Sequence, residues 1–284
     1  MAVAPAIRPA LVSDRHAISS LIYFESHVHR HLDWRTPLDW LGSDYYWVLE
    51  RGGTVVASLC CAPDPAEAAW LRLFACSDEL PVKEAWDLLW PVAQARLRAI
   101  PGAQAAAIVL QDWFSSLLTS SGFVHKQDIL VLDRPVDQSG LPAAGSPSIR
   151  PMLASDLLAV AALDAAAFVP LWQNSASTLA KALELAGIAT VVESEHGLLA
   201  YQITTLHSGS GHLARLAVHP AAQRRKVGYG IVADMLARAA ADKLKRVTVN
   251  TQSDNHGSLA LYAQLGFHPT GETYAVYSLP VPQG

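Results

Sequence analysis

Between Val218 and Ile231 the chain reads HPAAQRRKVGYG, with Arg224, Arg225 and Lys226 in succession followed by Gly228 and Gly230. Residues 213–218 before it alternate like a strand. Behind it, Ile231, Val232, Met235, Leu236 and Ala239 recur at helical spacing. A helix start presents unpaired amides and the positive end of its dipole, and glycines let an anion come close to the backbone. The chemistry such a loop can do is phosphate binding, although the same residues also suit an ordinary basic surface loop. Further along, Asn255, Ser258, Leu261 and Tyr262 precede Gly266-Phe267. The phenol of Tyr262, with an ordinary pKa near 10, is protonated at neutral pH.

The elements that must hold these groups are legible around them. Ile149-Arg150-Pro151 is extended because a residue before proline avoids helix, and Ser155-Asp156 starts a helix carrying Leu157, Val160, Ala161, Leu163 and Phe168. Residues 189–193 and 198–205 read as a hairpin turning at Glu195-His196-Gly197. A helix from Gly230 carries an Asp234–Arg238 pair on its outer face, and residues 247–251 alternate as a half-buried strand. A short helix through Ser258 and Leu265 ends at Gly266, and a last strand covers 273–279.

The chain also repeats itself. Ile7-Arg8-Pro9 with Ser13-Asp14 recurs as Ile149-Arg150-Pro151 with Ser155-Asp156. Leu71-Arg72-Leu73 resembles Ala214-Arg215-Leu216, Gly122-Phe123 recurs as Gly266-Phe267, and Pro135-Val136 as Pro280-Val281. A nearly constant offset in four places, in order, argues for two copies of one domain. VDQSGLPAAGSPS between them reads as a linker. The expected division is 1–138, a linker at 139–147, and 148–284, with the boundary near residue 142.

Composition bounds the function. The 284 residues are 51% hydrophobic and 16% charged, which suits two buried cores and not a disordered tail. A net charge of −4 argues against a nucleic-acid partner. No run is long enough for a membrane helix, and residues 1–14 lack a signal-peptide layout. Cys60, Cys61 and Cys76 form neither a disulfide framework nor a zinc spacing. The expectation is a soluble, cytoplasmic protein.

Residues 213–267 resemble the GNAT family of N-acetyltransferases, whose signature is Gln/Arg-x-x-Gly-x-Gly/Ala followed downstream by Asn-x-x-(Ala/Ser)-x-x-Leu-Tyr-x-x-x-Gly-Phe. The second part is intact from Asn255 to Phe267. The tandem arrangement is similar to the mycothiol synthase-like double acetyltransferases. The resemblance implies an α+β (mixed α/β) fold of two tandem GNAT-like domains, each a mostly antiparallel sheet flanked by helices. It implies acetyl-CoA as co-substrate and no metal. The pantetheine arm would lie along Leu216, Ala217 and Val218. The pyrophosphate would sit on amides of Gln223, Arg224, Arg225, Lys226, Val227, Gly228, Tyr229 and Gly230, with Asn255 and Ser258 closing the other side. Tyr262 would be the acid, and the amide of Val218 could hold the oxyanion. Two registers fit the loop: Arg225 to Gly230 matches literally, whereas the spacing from Pro220 favours Gln223 to Gly228. The latter is preferred here and puts Lys226 at the first glycine, at little cost if that residue has an ordinary negative φ and offers only its amide.

No carboxylate stands on 213–218 to serve as base; His212, His219 and Glu193 are nearby candidates, each readable as structural. The first copy has Ala75-Cys76-Ser77-Asp78-Glu79-Leu80-Pro81 in place of the phosphate loop and Leu118 in place of Tyr262. It is therefore expected to be non-catalytic, with its seven tryptophans mostly in the core. His27, His29 and His31 alternate but lack partners for a metal. The expected activity is acetyl transfer to a primary amine of a small molecule or peptide; the alternative is a non-catalytic acyl-CoA-binding or sensing module. Neither the acceptor nor the choice between monomer and homodimer is legible.

Overall fold

A computed structural model of the chain describes residues 4–136 and 148–283. The expected linker at 139–147 lies outside the described residues. The first half runs β1 (Ala6–Pro9), α1 (Arg15–Phe24), β2 (His27–Arg30), β3 (Tyr46–Arg51), β4 (Thr54–Cys60), β5 (Ala68–Trp70), β6 (Leu73–Cys76), α2 (Val82–Leu97), β7 (Gln104–Val109), α3 (Asp112–Ser120) and β8 (Val124–Pro135). The second half runs β9 (Ser148–Pro151), α4 (Leu157–Ala167), α5 (Ala176–Glu184), β10 (Ala186–Ser194), β11 (Gly197–His207), β12 (Ser210–Val218), α6 (Val227–Ala241), β13 (Arg246–Gln252), α7 (His256–Gln264) and β14 (His268–Pro280). This is the mixed α/β architecture expected. Among the described residues no helix is long and apolar enough to cross a membrane.

The chain forms two compact units, Met1–Lys126 with Ala275–Gly284, and Gln127–Tyr274. In the first, β1, β3, β4, β6 and β2 pair antiparallel in that order. Separately, β5 runs parallel to β7, and β7 pairs antiparallel with residues 275–280. In the second unit β9, β10, β11 and β12 are antiparallel, β12 and β13 are parallel for a short distance, and β13 pairs antiparallel with residues 129–135 of β8. Each unit is thus completed by the strand that ends the other sequence copy, so the compact units and the sequence copies divide at different residues.

The repeated Ile-Arg-Pro…Ser-Asp segment is a capping device. Arg8 pairs with Asp14 at 2.7 Å and Glu50 at 2.8 Å. Arg150 does the same with Asp156 and Glu193, both at 2.7 Å. Each aspartate also accepts the amide three residues before it, Leu11 or Leu153, which closes the turn leading into α1 or α4. The cores differ in character. That of the first unit is aromatic, around Trp86, Phe74, Phe114 and Phe123. That of the second is aliphatic, around Ile231, Met235, Leu236 and Val247, with Tyr262 and Phe267 at its edge.

Candidate active site

Strands β12 and β13 pair in parallel only from Ser210↔Arg246 to Leu213↔Val249, although β12 continues to Val218 and β13 to Gln252. The cause lies on the other edge of β12. Its register with β11 jumps from Ile203↔Arg215 to Thr204↔Leu213, so Ala214 is an extra residue, a β-bulge that bends the strand. Past the bulge, the β13-facing edge of residues 214–218 pairs with no strand among the described residues. Leu216, Ala217 and Val218 lie on this stretch. An unpaired strand edge beside a gap is where an extended, amide-bearing chain can add.

The loop beyond β12 opens onto that gap. Gln223 donates its side-chain amide to Val218 O at 3.3 Å. The first bond of α6 is Gly230 N to Lys226 O, 2.9 Å. Among the described residues, the backbone N–H groups of residues 224–229 have no acceptor. Arg224, Arg225 and Lys226 are exposed and enter no ion pair among the described residues. Gly228 lets α6 approach closely: a Cβ there would stand 3.4 Å from Val218 and 3.3 Å from Leu261 on α7.

The condition that makes a lysine cheap in this loop is not met. Lys226 has φ +62°, as Arg224 has φ +58°, so the lysine does not sit at ordinary negative φ. It is the left-handed residue that caps α6, which therefore begins at Val227 rather than Gly230. A left-handed conformation is one that glycine adopts without the steric cost a Cβ brings.

Asn255 is the N-cap of α7, and its Oδ1 accepts Ser258 N at 3.1 Å. Tyr262, one turn further on, is 4% exposed and stands edge-on to Phe267 at 5.6 Å. It shares one buried cluster with Leu213 and Val249, the last pair before β12 and β13 part. Its hydroxyl makes no hydrogen bond among the described residues, and burial raises its pKa, so it is a protonated phenol at neutral pH. Gly266 (φ +79°) then turns the chain, with Phe267 N bonded to Tyr262 O at 3.0 Å.

The three candidate bases separate on geometry. Glu193 is paired with Arg150. His219 accepts Ala221 N on its Nδ1 at 3.2 Å. His212 sits where the two strands part, its Nδ1 2.8 Å from Thr248 Oγ1. The sequence reading missed a fourth feature. Arg215, next to the bulge, donates to Asp164 of α4 through Nε and Nη2, both at 2.8 Å, and to Trp172 O at 2.6 Å. The Tyr201 hydroxyl donates to the same carboxylate. This pair is fully buried on the Asp164 side and ties β12 to α4. Its members come from α4, β11 and β12, so no spacing in the sequence could signal it.

The first copy has the same frame with its cleft filled. Ala68↔Gln104 in β5 and β7 corresponds to Ser210↔Arg246, each partner displaced by 142 residues. The edge of β6 that corresponds to residues 215–218 is occupied by β2, from His27↔Cys76 to Arg30↔Leu73. Beneath β2, His27 packs on Trp113 (5.2 Å), His29 on Phe114 (4.2 Å) and His31 on Trp70 (4.6 Å). His29 Nε2 donates to Leu71 O at 2.9 Å. The loop amides are also consumed: Asp78 N donates to Glu25 Oε2 at 3.0 Å, Glu79 N to Ser77 Oγ, and Leu80 N to Ser77 O, while Pro81 has no N–H. Leu118, the counterpart of Tyr262, is fully buried.

The family model for the Acetyltransferase (GNAT) family matches residues 161–267, which include the bulged strand, the basic loop and Tyr262. No curated protein matches the chain by sequence. Solved structures match its fold over nearly the whole length. A tandem GNAT protein from the clavulanic acid biosynthesis pathway is 15% identical, with a TM-score of 0.64, covering 99% of this chain and 100% of its own. A GCN5-related N-acetyltransferase from Sphaerobacter thermophilus is 15% identical, with a TM-score of 0.61, covering 99% of this chain and 96% of its own. One from Kribbella flavida is 11% identical, with a TM-score of 0.68, covering 97% and 70%.

Proposed function

We propose, from the match of residues 161–267 to the GNAT family model, that this chain transfers acetyl from acetyl-CoA to a primary amine of a small molecule or peptide, using its second half alone. The observation that carries the reading is the set of unclaimed amides at residues 224–229, at the mouth of the gap beyond the β12 bulge. Backbone donors at a helix start, flanked by three unpaired cations, are suited to a diphosphate. The free edge of residues 216–218 suits the amide-rich pantetheine arm, with Asn255 and Ser258 on the far side. The thioester then reaches the vertex, next to the cluster that holds Tyr262.

The phenol protonates the departing sulfur. Burial weakens it as an acid, but the same apolar surroundings raise the pKa of the thiol, so the two stay matched. The first copy supports a single site. β2 takes the place of a pantetheine strand, and Glu25 takes a loop amide that a phosphate would need.

Isothermal titration with acetyl-CoA is expected to give one site per chain. Tyr262→Phe is expected to keep that binding and lower thiol release by about 100-fold. Two sites would overturn the filled first cleft. Unchanged thiol release would remove Tyr262 from the chemistry, and binding without turnover in the native chain would favour an acyl-CoA-sensing module.

A further inference from the structure

We propose that Arg215 recognises the acceptor by donating to a carbonyl oxygen next to the attacking amine, so that the acceptor is an α-amino amide. The inference rests on the acetyl-transfer reading above. Arg215 follows the bulge at Ala214, two residues after Leu213, where β12 last pairs with β13. Leu213, Leu216 and Val218 belong with Tyr262 to the aliphatic cluster under α6, whereas the Arg215 side chain reaches Asp164 on α4. With the α6 face of the strand packed, an acceptor approaches the parting of the strands from the α4 face, where Arg215 stands.

A guanidinium carries donors on Nε, Nη1 and Nη2. Nε and Nη2 donate to the two oxygens of Asp164, both at 2.8 Å, and Nη2 also to Trp172 O at 2.6 Å. Asn174, with its side-chain oxygen turned towards the arginine, faces the same two nitrogens at 3.1 and 3.2 Å. Nη1 is left with no acceptor among the described residues. The group is held firmly. Asp164 is fully buried and also accepts from the Tyr201 hydroxyl and from Asn174 N at 2.7 Å. The guanidinium carbon lies 3.6 Å from the centre of the Phe168 ring. The arginine side chain nevertheless keeps 12% of its surface exposed. A donor fixed in this way loses little freedom when a ligand arrives.

Charge selects the kind of oxygen. Asp164 already balances Arg215. The other lysine and arginine residues between 148 and 218 are Arg150 and Lys181, the first paired with Asp156 and Glu193 and the second with Glu184. A ligand carboxylate on Nη1 would therefore bring an unbalanced negative charge against a buried pair, which is costly. A carbonyl brings none and accepts the same hydrogen bond. An amine beside a carbonyl is the head of an amino-acid amide and of a peptide chain alike.

The test uses the full chain with acetyl-CoA. Thiol release is followed with glycinamide, with triglycinamide, which carries the same head on a short peptide, with glycine, which has a carboxylate instead, and with propargylamine, an amine of similar basicity without oxygen. The better amide is expected to exceed propargylamine by about 10-fold in kcat/KM and glycine by more, and which amide is better tells a small ligand from a peptide. Arg215→Lys keeps a cation beside Asp164 and removes Nη1. It is expected to cost the amide about 10-fold more in kcat/KM than it costs propargylamine. Equal losses would mean that Arg215 only holds β12 in place, and a native preference for glycine or propargylamine would mean that no carbonyl is read; either overturns the proposal. Should the lysine variant fail to fold, or no amine react, the guanidinium ¹⁵N resonances of Arg215 in the native chain decide. They are expected to shift when glycinamide is added to the CoA complex, and no shift would overturn the proposal. Absence of acetyl-CoA binding in the native chain would instead overturn the reading it rests on.

Discussion

Lys226 illustrates how a single residue can both hide and mark a site. A left-handed conformation costs a residue with a Cβ about 1–2 kcal/mol, and glycine avoids that cost. Lysine stands at φ +62° as the cap of α6, with Arg224 at φ +58° two residues before it. The backbone amide, which is what a phosphate uses, is presented whichever side chain follows. Lys226→Gly is therefore expected to stabilise the chain by about 1 kcal/mol, read as a higher denaturation midpoint in urea. The same variant should still bind acetyl-CoA, at a cost limited to one exposed cation. A fall in the midpoint would mean that the lysine side chain, and not the backbone, holds the loop.

At the scale of elements, the sharpest contrast is between the edges of β6 and β12. Past the short parallel pairings of β5 with β7 and of β12 with β13, the edge of β6 is filled by β2, and the edge of residues 214–218 is left open among the described residues. The filling has a signature in acid. His29 is 4% exposed, and burial lowers its pKa from 6.5 to about 4, against the opposing bond to Leu71 O. Its folded pKa lies below its unfolded one, so between pH 6.5 and 4 the unfolded chain binds more protons and stability falls as pH falls. The loss across that window is about 3 kcal/mol for this residue. His31, depressed mainly by burial and then by Arg72, acts in the same direction. Urea denaturation of His29→Gln, which keeps a donor for Leu71 O, is expected to give a flatter stability profile across the window. An unchanged slope would mean that β2 opens before it titrates.

For the whole molecule, the mismatch between sequence copies and compact units decides which pieces can stand alone. The second unit begins at Gln127, and residues 129–135 pair along β13. Arg134 within that strand donates to Leu265 O at the end of α7. A fragment cut at the sequence boundary, residues 143–284, loses this strand and exposes the edge of β13. It is expected to melt without cooperativity. Residues 127–274 keep every strand of the unit and are expected to give a cooperative melt and to bind acetyl-CoA. Circular dichroism of the two fragments checks the difference, and a cooperative melt of 143–284 would show that β8 is dispensable.

The sequence by itself determined what depends on local spacing. The repeated Arg-Pro…Asp cap, the hairpin of β10 and β11, the turn at Gly266 and the order of strand, basic loop and helix are all set by neighbours within a few residues. So was the contrast of residues 75–81 with the basic loop, because Asp78 and Glu79 are acidic and Pro81 lacks an amide proton. What only the tertiary structure decided depends on edges and on partners far apart in the chain. A bulge at Ala214 is visible only as a register jump against β11, and a four-residue strand such as β2 takes its place only where an edge stands open. The Asp164–Tyr201–Arg215 cluster is assembled from three elements. A strand edge is satisfied by whichever segment packs on it most favourably, and side-chain spacing along the chain does not record which segment that is.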